Sequence, residues 1–189
     1  MNSKKGLELF SKELAFINTH LLIIKKFGEA MKRNDLWFIG NYPYFIFTFT
    51  AHTHSVLIGM RKFFDKDKRS LSLYSIIESI DDETKQNEYS KKICSLFVDF
   101  SFYEKFANKI IAHLDRQEQT ISATIPSLDF LDESKLPRLM SDLINLVREL
   151  KLYFNDKDYV VPEYIGTINT LNSIIACLNR CGKENSISL

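Results

Sequence analysis

At 189 residues the chain has the length of one domain, and 45% hydrophobic residues, fifteen of them phenylalanine, supply a sizeable core. Six glycines and four prolines are too few for an all-β chain that depends on tight turns. With 25 basic and 24 acidic side chains the net charge is +1, which excludes a global field for nucleic acid, so RNA contact requires a local patch.

In chain order, Leu7, Phe10, Leu14, Ile17, Leu21, Ile24 and Phe27 repeat at helical spacing and predict a first helix over Leu7–Lys32. Residues Asn34–Gly40 break it. Pro43 suits the first turn of a second helix, where its missing N–H costs nothing, and this helix runs to about Phe64. Apolar on most of its circumference, it is the element expected to be most buried. Asp65–Arg69, DKDKR, reads as a solvated turn, and Ser70 as the cap of a short third helix through Ile80. The polar stretch Asp81–Lys92 reads as a loop merging into a central helix over Tyr89–Gln117. Glu118–Glu133 is an irregular excursion. Ser134 and Pro137 open a fifth helix to about Phe154; Pro162 opens a last one that Gly182 ends. The tail, residues 183–189, is expected to be disordered. The sum is an all-α fold, a single domain over residues 1–189, built as a five-helix bundle with one extra short helix.

Tyr42–Met60 has no Lys, Arg, Asp or Glu, but two His, three Thr and a Ser make it a core helix rather than a membrane span. The charged N-terminus MNSKKGLELFSKEL has no apolar run of a secretory signal. Three cysteines, Cys94, Cys177 and Cys181, read as reduced thiols, which with the missing signal predicts a cytoplasmic protein. Cys177 and Cys181 lie one turn apart but lack a third and fourth ligand at suitable spacing, so no metal site is expected. His52 and His54, two apart on a helix, cannot chelate one ion together and read as core or interface residues.

The central helix has two distinct sides. Phe97, Phe100, Ala107, Ile111 and Leu114 form an apolar stripe; Lys105, Lys109, His113 and Arg116 line up on another side. Histidine exchanges protons near neutral pH and can act as a general acid or base; it can equally be a polar helix residue bonded to a neighbour. Asn108 is open to the same two readings, as a phosphate contact or a cross-helix hydrogen bond. Arg61 and Asp65, spaced i to i+4, suggest a helix-end ion pair or support for a cleft.

Ala107-Asn108 followed by His113 resembles the signature of the HEPN superfamily, in which an arginine, often followed by asparagine, precedes a histidine on one helix. Here the arginine position holds Ala107. Met60-Arg61-Lys62-Phe63-Phe64-Asp65 followed by Ser70-Leu71-Ser72-Leu73-Tyr74 resembles the abortive-infection branch of the same superfamily. The resemblance implies a HEPN-like bundle forming a homodimer through the His113 helix. It also implies metal-independent RNA cleavage with no cofactor, and an antitoxin or other protein partner. His113 would be the general acid/base with Asn108 beside it, and Lys105, Lys109 and Arg116 would hold phosphate. Without the motif arginine, cleavage is expected to be weakened or lost, and a HEPN module that binds RNA, a nucleotide or a protein without cutting is the alternative.

Overall fold

The structure is a computed structural model that describes residues 3–32, 43–67, 69–114, 135–154 and, further on, 169–170, 172–173 and 175–176; the side chains of residues 28–32, 43–46, 106 and 109–114 are outside that description. The helices are α1 (Ser3–Lys32), α2 (Pro43–Phe63), a single short α3 (Leu73–Ile77), α4 (Glu83–Leu114) and α5 (Lys135–Tyr153). The six described residues between 169 and 176 are also helical, and no strand occurs among the described residues. The fold is all-α. The expected helix caps at Ser134 and Gly182, the Glu118–Glu133 excursion and the C-terminal tail lie outside the described residues.

The four long helices form a four-cornered bundle. α1 packs on α2 and α5, α4 packs on the same two helices, and α3 closes the end against α4 and α1. The α1–α2 seam is antiparallel and can be followed rung by rung. Phe10 meets Phe63 with ring centroids 4.8 Å apart, and the Lys62 ammonium donates to the Glu13 carboxylate at 2.7 Å. Gly59 then lets Ile17 lie directly against the α2 backbone, and His20 meets His52. The α4–α5 seam is antiparallel too, with Tyr89 edge-on to Tyr153 and Lys92 bonded to Glu149 at 2.6 Å.

Burial follows the helical period. Leu7, Phe10, Leu14, Ile17, Ile24 and Phe27 of α1 enter the core, as do Leu136, Leu139, Met140, Leu143, Leu146, Val147 and Leu150 of α5. Helix α2 buries Phe49, Val56, Leu57, Met60 and Phe63, yet Phe47 and Ala51 are exposed, so its apolar circumference is only partly covered by α1 and α4.

Several boundaries differ from the sequence reading: α1 starts at Ser3 rather than Leu7, the short helix ends at Ile77 rather than Ile80, and two helix starts move for a physical reason. The third helix is capped by Ser72 rather than Ser70. The Ser72 and Ser75 hydroxyls each accept from the other's backbone N–H, a reciprocal capping box that fixes the first turn at Leu73. The central helix starts at Glu83, inside the stretch read as a loop. The Asp82 carboxylate accepts from the Thr84 and Lys85 N–H groups and satisfies two of the otherwise orphaned donors. Lys85–Glu88 and Glu88–Lys92 pairs then line the polar side of its first turns.

Candidate functional site

Helix α4 is organised by a buried strip that runs along it: Tyr89, Ile93, Leu96, Phe100, Tyr103 and Ala107, at alternating steps of four and three residues. The sequence reading placed Phe100 and Ala107 in this strip but omitted Leu96 and Tyr103. Phe97 lies on its shoulder, partly buried, where Phe64 approaches its ring at 5.9 Å and stacks on Phe100 at 4.9 Å. Ala107 is 0% exposed.

With Ala107 in the core, the opposite side of α4 faces outward. Val98 is 70% and Phe102 55% exposed; Lys105, on the same strip, is exposed as well. Asn108, about a sixth of a turn from Lys105 around the helix, is also exposed. The backbone stays helical through Leu114, so positions 109 and 113 continue the register of 102 and 105. The side chains of Lys109 and His113, and all of Arg116, lie outside the described residues.

A flank of α4 carries groups the sequence reading missed. Lys66, in the turn after α2, holds its ammonium 4.5 Å from the centroid of the Phe97 ring and 5.6 Å from that of Tyr74. The Tyr74 hydroxyl is buried with no hydrogen-bond partner among the described residues. Burial, then Coulomb repulsion from Cys94 and Glu104, raises its pKa above the ordinary tyrosine value. The signal was in the Ser70–Tyr74 block, whose tyrosine ends a serine- and leucine-rich stretch, but nothing in one sequence says which side of α4 it meets.

Arg61 and Asp65 are placed elsewhere. Arg61 is exposed in the last turn of α2. Asp65 falls beyond the helix end, and its carboxylate accepts from the Asp67 N–H at 2.9 Å, pinning the DKDKR turn. Among the described residues no ion pair joins Arg61 to Asp65: α2 ends at Phe63, so Asp65 leaves the i to i+4 register the pair requires. Asp65 instead lines a cleft of about 310 Å³ on the α1 side, with Leu9, Phe10, Glu13, Lys62, Ser70 and Leu71. Among the described residues no three His, Cys, Asp or Glu side chains converge as a metal-binding group.

A bundle of this kind is shared by many unrelated proteins, so the family is decided by sequence. Residues 4–167 match the HEPN family described as AbiU2 (HEPN_AbiU2), a span that takes in α1 through α5. The chain belongs to the AbiU2 family of HEPN proteins. It is therefore a HEPN protein of the abortive-infection type, as the two sequence blocks implied. No curated protein and no solved structure is significantly similar to this AbiU2-family chain. Among its described residues no helix is long and apolar enough to cross a membrane, in keeping with the core reading of Tyr42–Met60.

Proposed function

We propose that this AbiU2-family protein acts on RNA through the C-terminal half of α4, and that its capacity to cleave is weakened or lost. Metal-independent cleavage needs a base for the 2′-hydroxyl, an acid for the leaving oxygen and a cation on the phosphate. His113 would fill the first two roles. Lys105 and Lys109 on the same strip, with Arg116 beyond, would hold phosphate as point charges and the planar fork of a single arginine, and Asn108 would contact the strand beside them. The observation that supports the reading is the placement of Ala107: its side chain is fully buried while Lys105 and Asn108 beside it are exposed. The helix thus offers basic and amide groups to a ligand while position 107 offers none. That same burial favours the second reading, a HEPN module that binds RNA or a protein such as an antitoxin without cutting.

Fluorescence anisotropy with single-stranded RNA, paired with a cleavage assay in EDTA, tests the proposal. The expected result is RNA binding that weakens in Lys105→Ala and Lys109→Ala, with slow cleavage abolished by His113→Ala. Binding with cleavage equal to that of His113→Ala would select the binding module. RNA affinity indifferent to both lysine substitutions would refute this helix as the RNA surface.

A further inference from the structure

One rung of the α1–α2 seam is chemically unlike its neighbours. Phe10–Phe63 and Ile17–Gly59 are apolar and Glu13–Lys62 is an exposed ion pair, but the rung after Ile17 sets two imidazoles against each other, His20 Nδ1 to His52 Nδ1, at 2.5 Å with ring centroids 4.8 Å apart. Gly59 explains why the helices come so close here. A Cβ at that position would sit 2.7 Å from Cγ1 of Ile17. Phe16, one turn before His20 on α1, meets the His20 ring edge-on at 4.2 Å. The pair is only half-buried, so solvent and small ions can reach it.

We propose that His20 and His52 form a binding site for one borderline transition-metal ion of the Zn²⁺ and Ni²⁺ class, which clips α1 to α2 through the two Nδ1 atoms. Neutral imidazole is the ligating form, and these ions favour it, whereas Mg²⁺ and Ca²⁺ require oxygen donors. Burial lowers the pKa of both rings, and the mutual repulsion of the two adds to it at His52, which favours the neutral, ligating form. In the metal-free pair one Nδ1–H donates to the other Nδ1. Metal binding needs both lone pairs, so the donor ring moves its proton from Nδ1 to Nε2 through solvent, and no net proton is released. Zinc–nitrogen bonds of about 2.0–2.1 Å at a tetrahedral angle place two ligand nitrogens roughly 3.3 Å apart. The rings therefore part by less than the width of an atom, which side-chain rotation provides. With two protein ligands the remaining positions hold water, and binding is correspondingly weak.

Titration of the full chain with Zn²⁺ and with Ni²⁺ tests the site, with Mg²⁺ as the control ion. Thermal unfolding of the wild type is expected to shift upward with Zn²⁺ and Ni²⁺ and not with Mg²⁺. His20→Gln and His52→Gln should each lower the affinity at least tenfold, while His54→Gln should leave it unchanged. Because a free thiol can also take up zinc, ¹⁵N resonances of the imidazoles supply the local readout: the Nδ1 signals of His20 and His52 should move together as Zn²⁺ is added to the wild type. Unmoved Nδ1 signals at saturating Zn²⁺, or equal titrations of wild type and both pair variants, would overturn the proposal. The NMR measurement needs no variant and so decides the matter even if a substitution unfolds the protein.

Discussion

At the scale of single residues, position 107 separates chemistry from packing. An arginine there would restore the HEPN pattern in sequence, but the site it would occupy is the buried strip of α4, with Tyr103 one turn away. Ala107→Arg must either overpack the core or bury a charge without a partner, and should cost about 3 kcal/mol or more. For a domain of this size that is a fall in melting temperature of roughly 10 °C. Calorimetry checks it; an unchanged melting temperature would mean that the guanidinium reaches solvent and that position 107 borders the site after all. His52 offers a second test. Its pKa is lowered from 6.5 to about 4, by burial first and by repulsion from His20 second. The unfolded chain therefore takes up a proton near pH 6.5 that the folded chain refuses until about pH 4. The contribution to stability is fully present above pH 6.5 and declines as pH falls from there to about 4. Denaturant melts in the presence of a chelator should show this slope in the wild type and a shallower one in His52→Gln. Carboxylates held low by lysines, such as Glu88, add a slope of the same sign from about pH 5 downward, so the His52 contribution is read between about pH 5 and pH 6.5. The burial of Ala107 was legible from periodicity alone. The His20 contact was not, because it depends on which residues of two separate helices fall on one rung.

Elements were legible where apolar residues recur and illegible where polar ones carry the helix. The stripe of α1 is legible from Leu7 to Phe27, apart from Leu21, which is only partly buried. The start of α4 is hidden because residues 81–92 contain almost nothing apolar. Yet Tyr89 and Ile93 extend the Leu96–Phe100 strip backward, and Asp82 is an ordinary cap. What no sequence pattern could give is how close two helices approach. Gly59 sets that distance for α1 and α2, since Cγ1 and Cδ1 of the fully buried Ile17 lie 2.7 and 2.8 Å from where a Cβ would be. Gly59→Ala gains about 1 kcal/mol in helix propensity but incurs roughly 1–3 kcal/mol of overpacking. Ile17 is fully buried and must shift to admit the methyl group, so the expected result is net destabilisation of about 1 kcal/mol. Ile17→Ala alone should cost about 2–5 kcal/mol, and the double variant should lose less than the sum by about 1 kcal/mol. Strict additivity in that cycle would show that the two helices are not locked at this rung.

For the whole molecule the question is what covers the outer face of α4. Val98 and Phe102 present apolar side chains to water on the strip that continues into Lys105, and neither is needed to close the monomer core. Covering such surface gains about 25 cal/mol per Å², and a net charge of +1 puts little long-range repulsion between two copies. A two-fold dimer that pairs α4 with its symmetry mate would bury these side chains and bring the two positions 113 toward one groove, the arrangement the HEPN resemblance implies. The dimer predicts that assembly and fold can be separated. Phe102→Glu should turn a dimer into a monomer at micromolar concentration in light scattering, while the circular dichroism spectrum and the melt of the isolated monomer stay intact, because the substitution lies outside the core. RNA binding should fall with it, since a single α4 offers half the cations, and its salt dependence should soften by about 0.7 in slope for each phosphate that is no longer neutralised. A wild type that is monomeric at every concentration, or a Phe102→Glu variant that dimerises as well as the wild type, would remove α4 as the dimer interface. If the variant were monomeric and still bound RNA with the wild-type slope, the RNA-binding groups would belong to one copy alone.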